Sequence, residues 1–255
     1  GIDVNGIKLN FKQMIKRKSD VVDQTTKGID YLMSKNKITR FEGEASFKDK
    51  NTVTIKSGKK NLDISGTKIM IATGSDVATL PFLPIDGKRI ISSTEALELK
   101  EVPKHLIVVG GGVIGVELGS VYARLGSKVS VIEFMPNLIP TMDKELGKHL
   151  ERSLKKLGFE FHFNTKVTGA KTTAKEVTLT AEDSKGKEVE FKGDYVLVSI
   201  GRRPYTDRLG LDKAGVNVDE KGRIDINEQY QTNVSHIYAI GDVVKGPMLA
   251  HKASE

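Results

Sequence analysis

The chain has 255 residues, of which 38% are hydrophobic and 29% charged, with a formal net charge of +7. That is ordinary for a globular protein, and the length suits one large domain or two modest ones. Cysteine is absent, which excludes disulfides, thiolate metal sites and thiol nucleophiles within the chain, and no apolar run reaches the roughly 18 residues of a membrane span.

The lysines are scattered over turns and helix faces without an interleaved aromatic run. They read as a solvated surface, and nucleic acid is not an expected partner. Five histidines are widely spaced, none at i, i+4 from another ligand, so no metal site is expected. The opening GIDVNGIKLN has the pattern of neither a signal peptide nor a basic presequence.

Phe11 to Asn36 places apolar residues (Phe11, Met14, Ile15, Val21, Val22, Ile29, Leu32, Met33) at helical spacing, which predicts one long amphipathic helix. Short alternating runs follow at Thr39–Phe47, Asn51–Ile55 and Leu62–Ile64, a β-meander pattern. Lys68–Ala72 is a candidate buried strand, stopped by Thr73-Gly74-Ser75, and a connector with Pro81, Pro84 and Pro103 comes next.

Leu106–Val109 is a second short apolar run, and it leads straight into Gly110-x-Gly112-x-x-Gly115. A helical pattern (Val113, Val116, Val121, Leu125) closes at Gly126, and the strand Lys128–Ile132 ends on Glu133. Strand, glycine turn, helix, strand and acid together make the dinucleotide-binding fingerprint. Gly110 serves the tight turn, Gly112 admits a pyrophosphate to the backbone, and Gly115 lets helix and strand pack closely. The helix start offers free N–H groups and a positive dipole end. A carboxylate at Glu133 accepts from ribose hydroxyls and repels a 2′-phosphate, and no Arg follows it, so NAD(H) is expected over NADP(H).

A helix is expected at Lys144–Leu157, capped by Asp143 and stopped by Gly158, then a strand at Phe159–Phe163. Lys166–Phe191 reads as a second meander, inserted in the βαβ series. Asp194–Ile200 and Ile237–Ile240 are further apolar strands, ending at Gly201-Arg202-Arg203-Pro204 and Gly241-Asp242. In open parallel sheets ligands sit at such strand ends. Only one complete fingerprint is present, so the sequence reads as an internal portion of a longer protein. The roles of Arg202 and Arg203 stay open at this point, and His105, His149, His162 and His236 read as structural.

Further motifs are Ala72–Ser75, Ser92–Leu97, Gly110–Gly119, Asn164–Gly169, Ser199–Pro204, Tyr238–Val244 and Gly246–Ala253. With them the chain resembles the two-dinucleotide-binding flavoprotein disulfide reductases, nearest their dihydrolipoamide branch. The resemblance covers essentially the whole chain but only the middle of such an enzyme. It implies an α/β fold, with a Rossmann-like NAD-binding domain (a parallel sheet carrying an inserted meander) set into a partial FAD-binding domain. The implied limits are 1–102, 103–230 and 231–255, the outer two belonging to the FAD-binding part.

By the same resemblance, Gly110, Gly111, Gly112, Val113, Ile114, Gly115, Val116 and Glu117 cradle NAD, with Glu117 near the nicotinamide ribose. Glu133 holds the adenosine ribose, Val167 lies by the adenine and Gly201 along the nucleotide. FAD contacts fall at Ala45, Thr73, Gly74 and Ser75, with Asp242 on the ribityl chain and Met248, Leu249, Ala250 and His251 under the flavin. Such enzymes also carry an earlier glycine fingerprint, a C-x-x-x-x-C redox pair and an interface domain with a His-Glu acid/base pair, none of which is in this chain. No catalytic residue is therefore expected here. The parent is expected to be a homodimer oxidising dihydrolipoamide or a lipoyl-domain substrate within a 2-oxo acid dehydrogenase complex. The mitochondrial matrix is its expected location, or the cytoplasm if it is bacterial. Three alternatives stay open: a cysteine-free relative such as a transhydrogenase or NADH oxidase, the NADPH-using glutathione or mercuric reductases (which Glu133 argues against), and a non-catalytic NAD-binding module. The chain alone is expected to bind NADH without holding flavin at full occupancy.

Overall fold

The computed structural model describes residues 6–254; the first five residues of the opening stretch and Glu255 lie outside the described residues. In chain order the elements begin with helix α1 (Phe11–Lys35), a meander β1 (Glu44–Asp49), β2 (Thr52–Ser57) and β3 (Lys60–Ser65), then β4 (Ile69–Ile71) and β5 (Ser75–Val77). Next come β6 (Ile90–Ile91), α2 (Ser93–Ala96), β7 (His105–Val109), α3 (Val113–Arg124), β8 (Lys128–Ile132), α4 (Lys144–Lys156) and β9 (Phe159–His162). A second meander, β10 (Lys166–Thr172), β11 (Val177–Glu182) and β12 (Glu188–Gly193), precedes β13 (Tyr195–Val198) and β14 (Arg202–Pro204). The last elements are α5 (Leu211–Ala214), β15 (Ile237–Ala239), a 3₁₀ turn at Gly241–Val243 and α6 (Ala250–Ser254).

The chain divides into two compact units. One gathers Val77–Gly201 with the chain up to Thr25; the other gathers Thr26–Asp76 with the chain from Arg202 onward.

The first unit is built on a parallel sheet of order β6-β13-β7-β8-β9. Its inner strands are mostly apolar because both faces are covered, polar residues being confined to His105, Lys128 and Ser130 on β7 and β8 and to Glu160 and His162 on the edge strand β9. Successive side chains alternate between the faces. Leu106, Val108, Val129, Val131 and Leu197 pack with Val116 and Tyr122 of α3 and Leu154 of α4. Ile107, Val109, Ile132, Val196 and Val198 pack with Val167, Val177, Leu179 and Ala181 of the second meander. After that meander the chain returns as β13 beside β7, with Tyr195 opposite Leu106.

In the second unit β1-β2-β3 form an antiparallel sheet, β4 pairs in parallel with β15, and β5 pairs with β14. Phe47, Ile71, Leu209, Leu211, Val216, Ile224, Ile237 and Val243 form its core.

Two sequence expectations shift in detail. The first meander starts at Glu44 rather than Thr39, and the connector holds a short helix, α2, with a capping box between Ser92 and Glu95. The two units divide the chain at other places than the expected limits. Ile90 and Ile91 extend the parallel sheet from its edge on β13, and Leu209, Leu211, Ala214, Val216 and Ile224 are buried in one cluster with Ile237. Helix α1 forms over almost the whole expected span, but it buries none of its residues; Val21, Val22, Ile29 and Leu32 are about half exposed, at 50%, 53%, 49% and 54%. Among the described residues no helix is long and apolar enough to cross a membrane, and no cluster of His, Asp or Glu could hold a metal ion.

Candidate functional site

At the end of β7 the backbone turns at Gly110 with φ +102°, and a Cβ there would lie 2.6 Å from the Ser199 carbonyl oxygen. A Cβ on Gly111 would lie 2.8 Å from Leu138 Cδ2 and 3.1 Å from Glu133 Oε2. A Cβ on Gly115 would collide with the Gly110 carbonyl and lie 2.5 Å from Ser199 Oγ. These three glycines are demanded by the packing of turn, helix and strand. Gly112 is different. It is the N-cap of α3 at φ −77°, and a Cβ there would meet nothing within 4 Å. No side chain caps the helix start. The first-turn N–H donors and the positive dipole end therefore face a space that the fold itself does not fill, which fits a diphosphate.

Glu133 follows β8 directly and is buried, at 7% exposure. Its Oε2 accepts from the Gly111 N–H at 2.5 Å and its Oε1 from the Met135 N–H at 2.6 Å. Each carboxylate oxygen keeps a second lone pair. No cation pairs with Glu133 among the described residues. The result is a rigidly held negative acceptor beside the glycine turn, suited to vicinal hydroxyls and hostile to a phosphate.

The other expected nucleotide residues divide by exposure. Val113 and Glu117 are exposed on α3, Ile114 is half-buried, and Val116 points into the core. The Glu117 carboxylate makes no hydrogen bond or ion pair with a described residue, which leaves it available. The side chain of Val167 is packed into the second core, so only its backbone remains to meet a ligand. Gly201 is exposed at φ +123°, with its carbonyl accepting from the Ala78 N–H at 3.1 Å.

In the second unit the Thr73–Ser75 turn and Asp242 come together. The Thr73 hydroxyl donates to the Tyr205 carbonyl at 2.7 Å, and the Tyr205 N–H donates to Gly74 O at 2.9 Å. The Ser75 hydroxyl donates to Asp242 Oδ2 at 2.5 Å. Ala45 is exposed on β1 opposite Ile55. Met248 is half-buried, Leu249, Ala250 and His251 are exposed, and α6 abuts the Asp242 turn, a Cβ on Gly241 lying 3.3 Å from Ala253 Cβ.

Two participants carry little sequence signal. Arg202 grips Ser75, donating from Nε to its hydroxyl and from Nη2 to its carbonyl, both at 2.6 Å. Ile139, whose N–H donates to Gly111 O at 2.9 Å, stands at φ +41°, a conformation β-branched residues rarely adopt. Its neighbour Leu138 walls the glycine turn.

Two cavities are bordered by other residues. One, about 700 Å³, is in the second unit, bordered by Ser46, Lys56, Arg208 and Lys213. The other, about 480 Å³, is in the first unit between the parallel sheet and the second meander, bordered by His105, Lys128, Ser130, Glu160, His162 and Lys192. His105 and Lys128 open their strands, while His162 closes β9 opposite Ile132, so this cavity runs along the meander-covered face of the sheet. Burial there pushes both imidazoles below the usual histidine range.

Comparison with known proteins agrees with this fold. The family model described as pyridine nucleotide-disulphide oxidoreductase matches residues 4–255. The mitochondrial dihydrolipoyl dehydrogenase of Pisum sativum is 47% identical over 257 residues, covering 100% of this chain and 51% of that protein. A leghemoglobin reductase of Glycine max is 46% identical, covering 100% of this chain and 49% of that protein. The chain thus spans about half the length of the curated relatives it matches. Among solved structures, a Cu(II) complex of a mutant of the HOCl-induced flavoprotein disulfide reductase RclA from Escherichia coli superposes with a TM-score of 0.89 at 29% identity. That match covers 96% of this chain and 55% of the other.

Proposed function

The chain belongs to the pyridine nucleotide-disulphide oxidoreductase family, and we propose that it is the NAD- and FAD-binding portion of a dihydrolipoyl dehydrogenase. The observation that carries the reading is the pairing of Gly112, open at an uncapped helix start, with the buried, doubly anchored Glu133. On this reading Gly110, Gly111, Gly112, Val113, Ile114, Gly115, Val116 and Glu117 hold the dinucleotide, Glu133 its adenosine ribose, and Val167 (by its backbone) and Gly201 its flank. Ala45, Thr73, Gly74, Ser75, Asp242, Met248, Leu249, Ala250 and His251 hold the flavin. When bound, the two cofactors supply hydride transfer between flavin and nicotinamide. The chain's own part is binding and orientation: donors at the helix start for the phosphates, carboxylates for the sugar hydroxyls.

The overall reaction proposed for the parent is oxidation of a dihydrolipoyl dithiol to its disulfide with reduction of NAD⁺ to NADH and a proton. The chain contains no cysteine, so it supplies no thiol to that chemistry. Several relatives are named as mitochondrial dihydrolipoyl dehydrogenases, which supports a mitochondrial location; the proposal extends to a matrix homodimer serving lipoyl domains of a 2-oxo acid dehydrogenase complex.

The sequence of the complete parent transcript tests this reading. A glycine fingerprint followed by C-x-x-x-x-C upstream of this segment is the expected result. Glycines without the cysteines would move the parent to a cysteine-free flavoprotein, such as a transhydrogenase or NADH oxidase.

A further inference from the structure

We propose that Arg202 is a positioning residue that, acting through Ser75, fixes the carboxylate of Asp242 for recognition of hydroxyl groups. This rests on the reading of Asp242 as a flavin-sugar ligand and adds the side chain that aims it. Ser75 opens β5, Arg202 opens β14, and Asp242 lies in the 3₁₀ turn after β15, so three separate strand termini meet at one hydroxyl.

The polarity of that hydroxyl is the core of the argument. The Arg202 guanidinium has only donors to offer. It spends two of them on Ser75, Nε–H on Oγ and Nη2–H on the carbonyl, each at 2.6 Å. With Oγ already accepting, the single Ser75 proton has to point elsewhere, and Asp242 Oδ2 is 2.5 Å away. Arg202 therefore sets the direction in which Ser75 donates. Asp242 Oδ2 is held, while Oδ1 has no partner among the described residues and remains an open acceptor. No cation pairs directly with Asp242 among the described residues, which leaves the Ser75 hydroxyl as its side-chain anchor. The adjacent arginine has other business: Arg203 pairs with Asp207 at 2.5 Å and approaches Asp76 at 3.8 Å. A lysine at 202 would deliver a point charge instead of a fork, and could not engage both Ser75 oxygens in the same way.

A double-mutant cycle on the ligand-free chain is the first measurement, with Arg202→Met and Asp242→Asn compared singly and together by thermal unfolding. The effects should be non-additive when Ser75 is present and additive in a Ser75→Ala background. Additivity with Ser75 in place overturns the proposal. The second measurement is titration with FAD, followed by flavin fluorescence. Arg202→Met should weaken FAD by about tenfold, the effect of one charge-assisted hydrogen bond. Arg202→Lys should fall between, Arg203→Met should match the unsubstituted chain, and Ser75→Ala should erase the difference made at 202. FAD uptake that Arg202→Met leaves unchanged overturns the proposal. Coupling through Ser75 with no FAD uptake by the unsubstituted chain would support the positioning role and overturn the flavin reading instead.

Discussion

The backbone N–H of Gly111 donates to the buried carboxylate of Glu133, 22 residues along the chain, at 2.5 Å. One glycine of the turn thus holds the acid that follows the next strand, and the Met135 N–H holds its other oxygen. The glycine turn and Glu133 form one prebuilt unit, so on the proposed reading a dinucleotide finds the carboxylate already oriented. Replacing Glu133 by Gln keeps the shape, removes the charge and sets an amide NH₂ against one of the two backbone N–H donors. NADH affinity is expected to fall by about tenfold, while NADPH, relieved of repulsion, gains relative to it. Titrations of both nucleotides against both proteins check this, and a parallel response of the two nucleotides would contradict it.

Gly112 and Gly115 make opposite predictions although they are three residues apart. Gly112→Ala puts a methyl group into open space at φ −77°, so stability should change by less than about 0.5 kcal/mol while NADH binding is lost. Gly115→Ala drives a methyl group into the Gly110 carbonyl and Ser199, and should cost about 1–3 kcal/mol by overpacking. Thermal melts beside NADH titrations separate the two cases.

A third prediction concerns acid. Burial first, and then the nearby Lys128, hold the His105 imidazole below its ordinary value of 6.5, against weaker opposing pulls from the Lys192 backbone, Glu160 and Asp194; burial does the same at His162. The unfolded chain then takes up these protons at a higher pH than the folded one, so stability rises with pH across that interval. The contribution is complete above about pH 6.5 and is lost as pH falls through the lower folded-state values. A double substitution, His105→Gln with His162→Gln, should flatten the pH dependence of the melting temperature in the interval immediately below about pH 6.5. The slope below pH 4.5, where carboxylates such as Glu160 take over, should persist.

The long helix α1 offers a fourth. Val22 is 53% exposed, so Val22→Ser should alter stability by under about 0.5 kcal/mol. Leu106, fully buried at 0% exposure between α3 and the sheet, should cost about 2–5 kcal/mol on change to Ala. Urea unfolding of the two variants compares them directly.

Much of this architecture was legible in the sequence where a local rule decides the outcome. The apolar runs at Leu106–Val109 and Lys128–Ile132, the glycines and the Asp143 cap each follow from their own few residues, and Asp143 does accept from the Glu145 N–H. The periodicity of α1 was readable too, but not its exposure, because spacing says which residues share a face and not what covers it. Strands β5 and β14 have three residues each, too few for an alternation to register. Arg202 and Ser75 are 127 residues apart, and no local pattern announces such a contact. Ile139 runs against its own conformational preference, so sequence reasoning points away from its place beside Gly111.

The central claim is that the turn Gly110–Gly115 and Glu133 hold NAD. Amide chemical-shift mapping of the ¹⁵N-labelled chain during NAD⁺ titration tests it most directly. Saturable shifts are expected at Gly111, Gly112, Val113, Ile114 and Met135, with Thr52–Ser57 of the first meander unmoved. NAD⁺ that leaves the glycine turn unshifted, or that shifts only residues of the second unit, would contradict it.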